Sequence, residues 1–68
     1  MKVIDRKDNK ATVFYNGKYY CVSDNSIETL IFESDSSGNI KDWIEVGGSR
    51  GASLSEVLSN FSSYLNLL

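Results

Sequence analysis

The chain has 68 residues and a net charge of −2, which is enough for one small domain and little else. A domain of this size buries only about 60% of the surface that its unfolded chain exposes, so we expect a net stability of roughly 3–5 kcal/mol. The composition, 41% hydrophobic and 24% charged with no proline, is typical of a globular protein and excludes a disordered one.

Cysteine content and hydropathy give an expectation about the compartment. Cys21 is the only cysteine, so no disulfide forms within the chain, and no apolar segment behind a basic start indicates a signal peptide. The longest apolar runs, residues 19–22 and 30–32, are far shorter than the roughly 20 residues that cross a bilayer. We therefore expect a cytoplasmic protein that does not associate with a membrane.

The charge is unevenly distributed along the chain. Residues 1–18 contain five basic and two acidic residues, a net charge of +3, whereas residues 19–68 contain two basic and seven acidic residues, a net charge of −5. Such an asymmetry can polarise the surface of a small protein. The alternative is that these charges form only the solvated face of a thin sheet.

Four or five strands followed by one helix are predicted. The dipeptide Asn16-Gly17 lies between two alternating segments and favours a type I′ hairpin turn, because both central positions of that turn need positive φ. A second hairpin is predicted around the turn residues Asp35-Ser36-Ser37-Gly38. The predicted strands comprise residues 2–6, 11–15, 18–23, 27–34 and 40–46.

Strand alternation sorts the apolar residues onto two faces. One face of the first hairpin carries Val13, Tyr15, Tyr20 and Val22, and the other carries Phe14, Tyr19 and Cys21. One side of the second hairpin carries Ile27, Thr29, Ile31, Ile40, Ile44 and Val46, and the other carries Leu30, Phe32 and Trp43 with Glu28, Lys41 and Glu45. Because one helix covers only one face, the other face is exposed, covered by the N-terminal segment or buried against a partner. An aromatic centre rimmed by charges is typical of an interface.

After residue 53 the hydrophobic period changes from that of a strand to that of a helix, which is predicted for residues 54–67. Ser53 and Glu56 form an S-x-x-E capping box, a pattern that begins helices. The sequence therefore predicts an α+β domain in which one C-terminal helix packs on one face of an antiparallel meander of four or five strands. The apolar stripe of this helix comprises Leu54, Val57, Leu58, Phe61, Tyr64, Leu65 and Leu68.

Residues 47–53, GGSRGAS, are predicted to form a glycine-rich loop before the helix. Exposed amides at a helix N-terminus favour anions, and Arg50 could clamp a phosphate there. The segment lacks the Gly-Lys-Ser/Thr ending of a P-loop and the parallel strands that such loops use. Both a simple connection and an anion or nucleotide site remain open.

No catalytic group is predicted. The chain contains no histidine, which removes Ser-His and Cys-His nucleophile pairs, and one cysteine cannot build a zinc site. Acids that are close in sequence, such as Asp42 and Glu45, are more often solvated surface groups than a general acid–base pair. We therefore expect neither an enzyme nor a metal or cofactor site.

Direct binding to nucleic acid is also not expected. Tyr15, Tyr19 and Tyr20 lie near Lys10 and Lys18, and aromatic residues on a sheet can stack bases. The sequence pI of about 4.8, however, indicates an acidic domain that would repel a phosphate backbone. Acids on a rigid scaffold are better suited to steer toward the lysines and arginines of a basic protein surface.

The segment 28–46 resembles a pattern in small bacteriophage and mobile-element accessory proteins. The resemblance covers about a third of the chain and is carried by Glu28-Thr29-Leu30-Ile31-Phe32, by Asp35, Gly38 and Ile40, and by Asp42-Trp43-Ile44-Glu45-Val46. Inhibition of a host defence complex recurs among such short phage proteins, and the anti-CRISPR proteins are the prominent class. The resemblance implies an inhibitor in the cytoplasm of a host cell, and no functional residue is transferred from it.

The leading hypothesis is a non-enzymatic protein-binding module, and more specifically a phage-type inhibitor that occupies a basic surface of a host nucleic-acid-handling complex. The segment 28–46 contains five of the nine acids and the only tryptophan. Two alternatives remain open: a homodimer or larger homo-oligomer that buries an aromatic sheet face, and an anion- or nucleotide-binding domain that uses the 47–53 loop. The residues predicted to bind the partner are Glu28, Glu33, Asp35, Asp42, Trp43 and Glu45.

Overall fold

A computed structural model describes residues 1–65 and shows one antiparallel sheet followed by two short helices. Each strand pairs with the one before it, so the order across the sheet is the order along the chain. The predicted α+β class and the antiparallel meander are confirmed, and the number of strands is five. The elements are β1 (Lys2–Lys7), β2 (Lys10–Tyr15), β3 (Lys18–Asp24), β4 (Glu28–Ser34), β5 (Ile40–Arg50), α1 (Leu54–Ser59) and α2 (Phe61–Tyr64).

The β2–β3 hairpin forms as predicted. Tyr15 pairs with Lys18 across a two-residue turn, and φ is +51° at Asn16 and +85° at Gly17. These are the positive values that a type I′ turn requires, and its twist matches that of the flanking strands. The turn therefore fixes the register that places each side chain of β2 and β3 on its face.

The two helices cover one face of the sheet, which we call the helix face. Val13, Val22 and Ile31 lie on three neighbouring strands and are fully buried there with Val57 of α1. The predicted grouping of Val13 and Val22 with Tyr15 and Tyr20 is confirmed, because all four belong to this core or pack against it. The other core residues are Ala11, Tyr20, Leu54, Leu58 and Phe61, with Tyr15, Val46, Ala52, Tyr64 and Leu65 packed against them.

The single predicted helix is two helices in the structure. Ser53 caps α1 as expected, since its Oγ accepts a hydrogen bond from the Glu56 amide at 3.1 Å. The helix is interrupted at Asn60, which has φ −131° and ψ +43°, and the chain is extended at Leu65, which pairs with Gly47 of β5. A polar, serine-rich outer surface gives little intrinsic helix propensity, so pairing with the sheet edge prevails over another helical turn. Residues 66–67 of the predicted helix and Leu68 of its stripe lie outside the described residues.

Strand β5 extends further than predicted, so the predicted 47–53 loop is wrong in its first half. Gly47 and Gly48 are buried and pair with Ile31 and Leu30 of β4. A Cβ at Gly48 would collide with the carbonyl oxygen of Thr29, so glycine permits this close approach of two backbones. The connection to α1 is consequently short and begins only at Gly51.

The first half of β5 is irregular. Ile40 pairs with Ser34, and Glu45 pairs with Phe32. The four residues 41–44 of β5 therefore lie opposite the single residue Glu33 of β4, and they bulge from the ladder. Ile44 in this segment is exposed, and so is Ile27 before β4, whereas Ile31, which was predicted to share a side of the sheet with them, is fully buried. Among residues 1–65 no helix has the length and apolar character needed to cross a membrane.

Phe61 is the aromatic centre of the helix face, and its truncation should unfold the domain. Its side chain is 3% exposed, and its ring centroid lies 5.4 Å from those of Tyr15 and Tyr20. Phe→Ala changes in a core cost about 3–5 kcal/mol, which is comparable to the whole stability expected of this domain. We expect Phe61→Ala to be largely unfolded in a thermal melt followed by circular dichroism.

Phe14→Ala is the matched control, because it removes the same atoms from the opposite face. Phe14 is 37% exposed, and its main contact is the ring of Tyr19 at a centroid distance of 4.9 Å. The control should lose only about 1–2 kcal/mol and keep a cooperative melt. A cooperative Phe61→Ala melt within a few degrees of the wild type would contradict the packing described.

Candidate functional site

The sheet face opposite the helices, which we call the outer face, is only partly open to solvent. The register places Thr12, Cys21 and Phe32 side by side on β2, β3 and β4. All three are buried, and Ser34 at the end of β4 is buried as well. The outer face therefore has a small second layer of packing.

The loop between β4 and β5, residues 35–39, covers one part of this layer. A Cβ at Gly38 would lie 2.5 Å from Thr12 Oγ1, so the loop reaches β2, two strands away from β4. Trp43 covers another part, because its ring packs edge-on against Phe32 with the centroids 5.4 Å apart. The prediction that Phe32 and Trp43 share one side of the sheet is confirmed by this contact.

Asp35, one of the predicted partner-binding residues, organises the 35–39 loop. Its Oδ1 accepts hydrogen bonds from the amides of Ser37 at 2.9 Å and Asn39 at 3.0 Å. The hydrogen bond from the Asn39 amide, together with weaker ones, holds the pKa of the Asp35 carboxyl below its ordinary value of 3.8. The Asp35 carboxylate is thus committed to the structure of the loop.

Glu28 and Glu33 were also predicted to bind a partner, and each has a basic neighbour within the chain. Glu33 lies 3.5 Å from Lys41 and 4.0 Å from Lys18, and Glu28 lies 3.8 Å from Arg50. The two glutamates are five residues apart on one strand, so they project from opposite faces. The structure does not bring them together into one acidic surface.

Asp42, Trp43 and Glu45 do lie together, on the bulged half of β5. Trp43 is 74% exposed and Ile44 is 67% exposed. Asp42 Oδ1 accepts a long hydrogen bond from the Ile44 amide at 3.4 Å, which stabilises the bulge. We call Asp42, Trp43, Ile44 and Glu45 the Trp43 surface. Sequence reasoning missed Ile44 because alternation placed it on the side of Ile31, and its exposure was not predicted.

The part of the chain that the structure describes contains no group of three or more His, Cys, Asp or Glu side chains arranged to hold a metal ion. Arg50, the residue that could clamp a phosphate if the 47–53 segment were an anion site, projects from β5 and is paired with Glu28. The arrangement of α1 does not restore that site, because a helix of six residues provides little dipole to attract an anion.

Gly38→Ala should lift the 35–39 loop from the outer face. Gly38 has φ +88°, which disfavours an L side chain, and the added methyl would collide with Thr12 Oγ1. Gly51→Ala is the control, because Gly51 has φ +85° with no atom within 4 Å of its Cβ position. Urea melts should show Gly38→Ala about 1–3 kcal/mol less stable than Gly51→Ala. Equal stability of the two variants would show that the loop does not press on Thr12.

The lowered pKa of Asp35 predicts a pH-dependent contribution to stability. A carboxyl whose folded pKa is depressed stabilises the fold above its unfolded pKa of 3.8, and this contribution is lost as the pH falls through the folded value. Asp35→Asn removes the charge while keeping a hydrogen-bond acceptor. The deficit in its free energy of unfolding relative to the wild type should therefore be largest near pH 6 and smaller at about pH 3. Urea melts at both pH values measure it. A deficit that does not change with pH would contradict the role given to the Asp35 carboxylate.

No protein-family model, curated protein or solved structure matches this chain. Trp43 and Ile44 are two consecutive large apolar residues that packing within the described residues leaves mostly exposed.

Proposed function

We propose that the chain is a non-enzymatic protein-binding module that uses the Trp43 surface. The observation that carries the proposal is a bulge with two adjacent large apolar side chains, Trp43 and Ile44, exposed by 74% and 67%. Exposed apolar groups of this size are costly in water, and tryptophan is enriched among the residues that dominate binding energy.

The Trp43 surface is held in position before a partner arrives. The ring of Trp43 rests edge-on against the buried Phe32, and Asp42 bonds the amide of Ile44. A side chain that is already ordered loses less conformational entropy on binding. This order supports Trp43 as an anchor that inserts into an apolar pocket of the partner.

The charges beside the anchor define the chemistry of the partner. Asp42 and Glu45 flank the two apolar residues, whereas Lys41, the base within the bulge, is paired with Glu33. The local excess of negative charge favours a partner whose pocket is rimmed by lysine or arginine. Glu28, Glu33 and Asp35 then contribute to the long-range field more than to direct contact, because each already has a partner in the chain.

A specific form of this proposal is a phage-type inhibitor of a host nucleic-acid-handling defence complex, of the anti-CRISPR kind. Surfaces that hold nucleic acid are basic, so they offer the lysines and arginines that Asp42 and Glu45 would engage. The resemblance of the segment 28–46 to phage accessory proteins supports this form. A partner that is not a nucleic-acid-handling protein would refute it and leave the broader proposal standing.

The test begins with capture of a partner from a lysate of the natural host, using wild-type and Trp43→Ala baits, followed by mass spectrometry. With the purified partner, Trp43→Ala should speed dissociation and weaken binding about 30-fold or more, because an anchor residue is worth about 2 kcal/mol or more. Asp42→Lys/Glu45→Lys should slow association, and added salt should weaken the wild-type complex. Surface plasmon resonance separates the two rates.

Asp8→Lys/Glu56→Lys is the matched control, because it makes the same change in net charge away from the Trp43 surface. It should bind with nearly unchanged rates, and circular dichroism should show every variant folded. A folded Asp42→Lys/Glu45→Lys protein with unchanged affinity and salt dependence would refute the proposal. Light scattering tests whether the partner is a second copy of this chain. A wild-type mass that is a multiple of 7.6 kDa, together with a Trp43→Ala mass of a single chain, would show that it is.

A further inference from the structure

Two lysines stand opposite each other at the end of the β1–β2 hairpin. Lys7 and Lys10 are direct partners in the ladder and project on the outer face. Like charges at directly opposed positions destabilise a sheet. The ion pairs found among residues 1–65 engage Lys18, Lys41 and Arg50, so neither Lys7 nor Lys10 has a carboxylate within 4.0 Å in that part of the chain.

The two lysines border a cavity of about 250 Å³ on the outer face. The buried Thr12 and Cys21 contribute to its lining, and the 35–39 loop closes one side with Ser37 and Asn39. The lining of this cavity therefore combines hydroxyl and amide groups with two lysine residues. A cavity of this volume lies below the range of about 300–1,000 Å³ that drug-sized ligands occupy, so it suits a compact ligand.

The positive charge acts on the interior of the cavity. Lys10 pairs with Ser23, two residues along β3 from Cys21, so both side chains lie on the outer face. Burial raises the pKa of the Cys21 thiol, and the charge of Lys10 opposes that shift. The thiol stays neutral and adds no negative charge. Asp5 is the only acid among the residues that line the cavity, which leaves a net charge of +1.

We propose that this cavity binds a phosphoryl group, either free phosphate or the terminal group of a small phosphate ester. Lys7 and Lys10 supply the two positive charges that a compact dianion requires, and lysine is a common phosphate ligand acting as a point charge. The hydroxyls of Thr12 and Ser37 and the second N–H of the Asn39 side-chain amide supply hydrogen-bond donors, since the backbone amides of Ser37 and Asn39 already donate to Asp35. Binding also removes the repulsion between the paired lysines, and Asp5 keeps the affinity modest.

The test is a thermal melt of the full chain in inorganic phosphate, against sodium chloride of equal ionic strength. Once phosphate exceeds its Kd about tenfold, the melting temperature should rise by about 5 °C or more. Lys7→Gln/Lys10→Gln should lose this rise and, without phosphate, be at least as stable as the wild type. Lys2→Gln/Lys18→Gln, with the same change in charge outside the cavity, should keep it, and so should Arg50→Ala.

A variant that should bind phosphate more tightly provides a second test. Asp5→Asn removes the acid that lines the cavity and should tighten phosphate binding about 2- to 5-fold. In a nuclear magnetic resonance titration the amides of Thr12, Ser37 and Asn39 should shift most. Glycerol phosphate that binds more tightly than inorganic phosphate assigns a phosphate ester as the ligand, and the reverse order assigns free phosphate.

An equal rise in melting temperature for the wild type and Lys7→Gln/Lys10→Gln would overturn the proposal. Phosphate stabilises many proteins by exclusion from their surface, and that general effect does not depend on these two lysines. Loss of the rise in Arg50→Ala would likewise overturn it, because the anion would then bind beside α1.

Discussion

The two short helices can cover only one face of the five-stranded sheet, and this limit decides how the rest of the chain is arranged. Val57 and Phe61 close the helix face over Val13, Val22 and Ile31, and this contact is the main source of buried apolar area. Among residues 1–65 no further helix covers the other face. The outer face must be closed by the strands' own side chains and by the loop that joins β4 to β5.

The closure of the outer face is incomplete at two places, and these are the two surfaces for which we propose roles. On the side of β5, the ring of Trp43 covers Phe32 with its edge and leaves most of its own surface in water. On the side of β1, the 35–39 loop stops at Thr12 and leaves a polar cavity beside Lys7 and Lys10. One surface is apolar with acidic neighbours, and the other is polar with basic neighbours. They can therefore be occupied at the same time by ligands of different chemistry.

The separation of charge along the chain becomes a separation across the sheet. Because the strand order follows the sequence, the basic first strands lie at one edge and the acidic segment lies at the other. The overall pI therefore describes neither edge. A basic edge on an acidic protein is compatible with a phosphate site, whereas the acidic edge would repel one.

The sequence was most informative where a local pattern decides the structure by itself. Asn16-Gly17 specified its turn and register, and alternation placed Val13 and Val22 in the core. It was least informative where tertiary pairing overrides local preference. Gly47 and Gly48 read as a loop, yet they form a strand because their backbones can approach β4 closely.

The residues of the candidate surface show the same division between local and tertiary signals. Trp43 and its flanking acids could be nominated from the pattern of charges around an aromatic residue. Ile44 could not, because alternation places it on the side of Ile31, and no sequence signal marks the irregular pairing of residues 41–44 with β4. The cavity was also beyond prediction, since it needs the 35–39 loop to cross two strands and reach Thr12.

The rate at which Cys21 is alkylated reports on local opening of the outer face. The thiol is the only one in the chain, it lies beneath the outer layer, and burial keeps it protonated. Because Cys21 is 3% exposed within the lining of the cavity, a bulky thiol reagent reaches it when the 35–39 loop opens or the whole domain unfolds. If the loop opens alone, alkylation proceeds faster than global unfolding allows, and the ratio of its rate to that of an exposed thiol gives the free energy of loop opening.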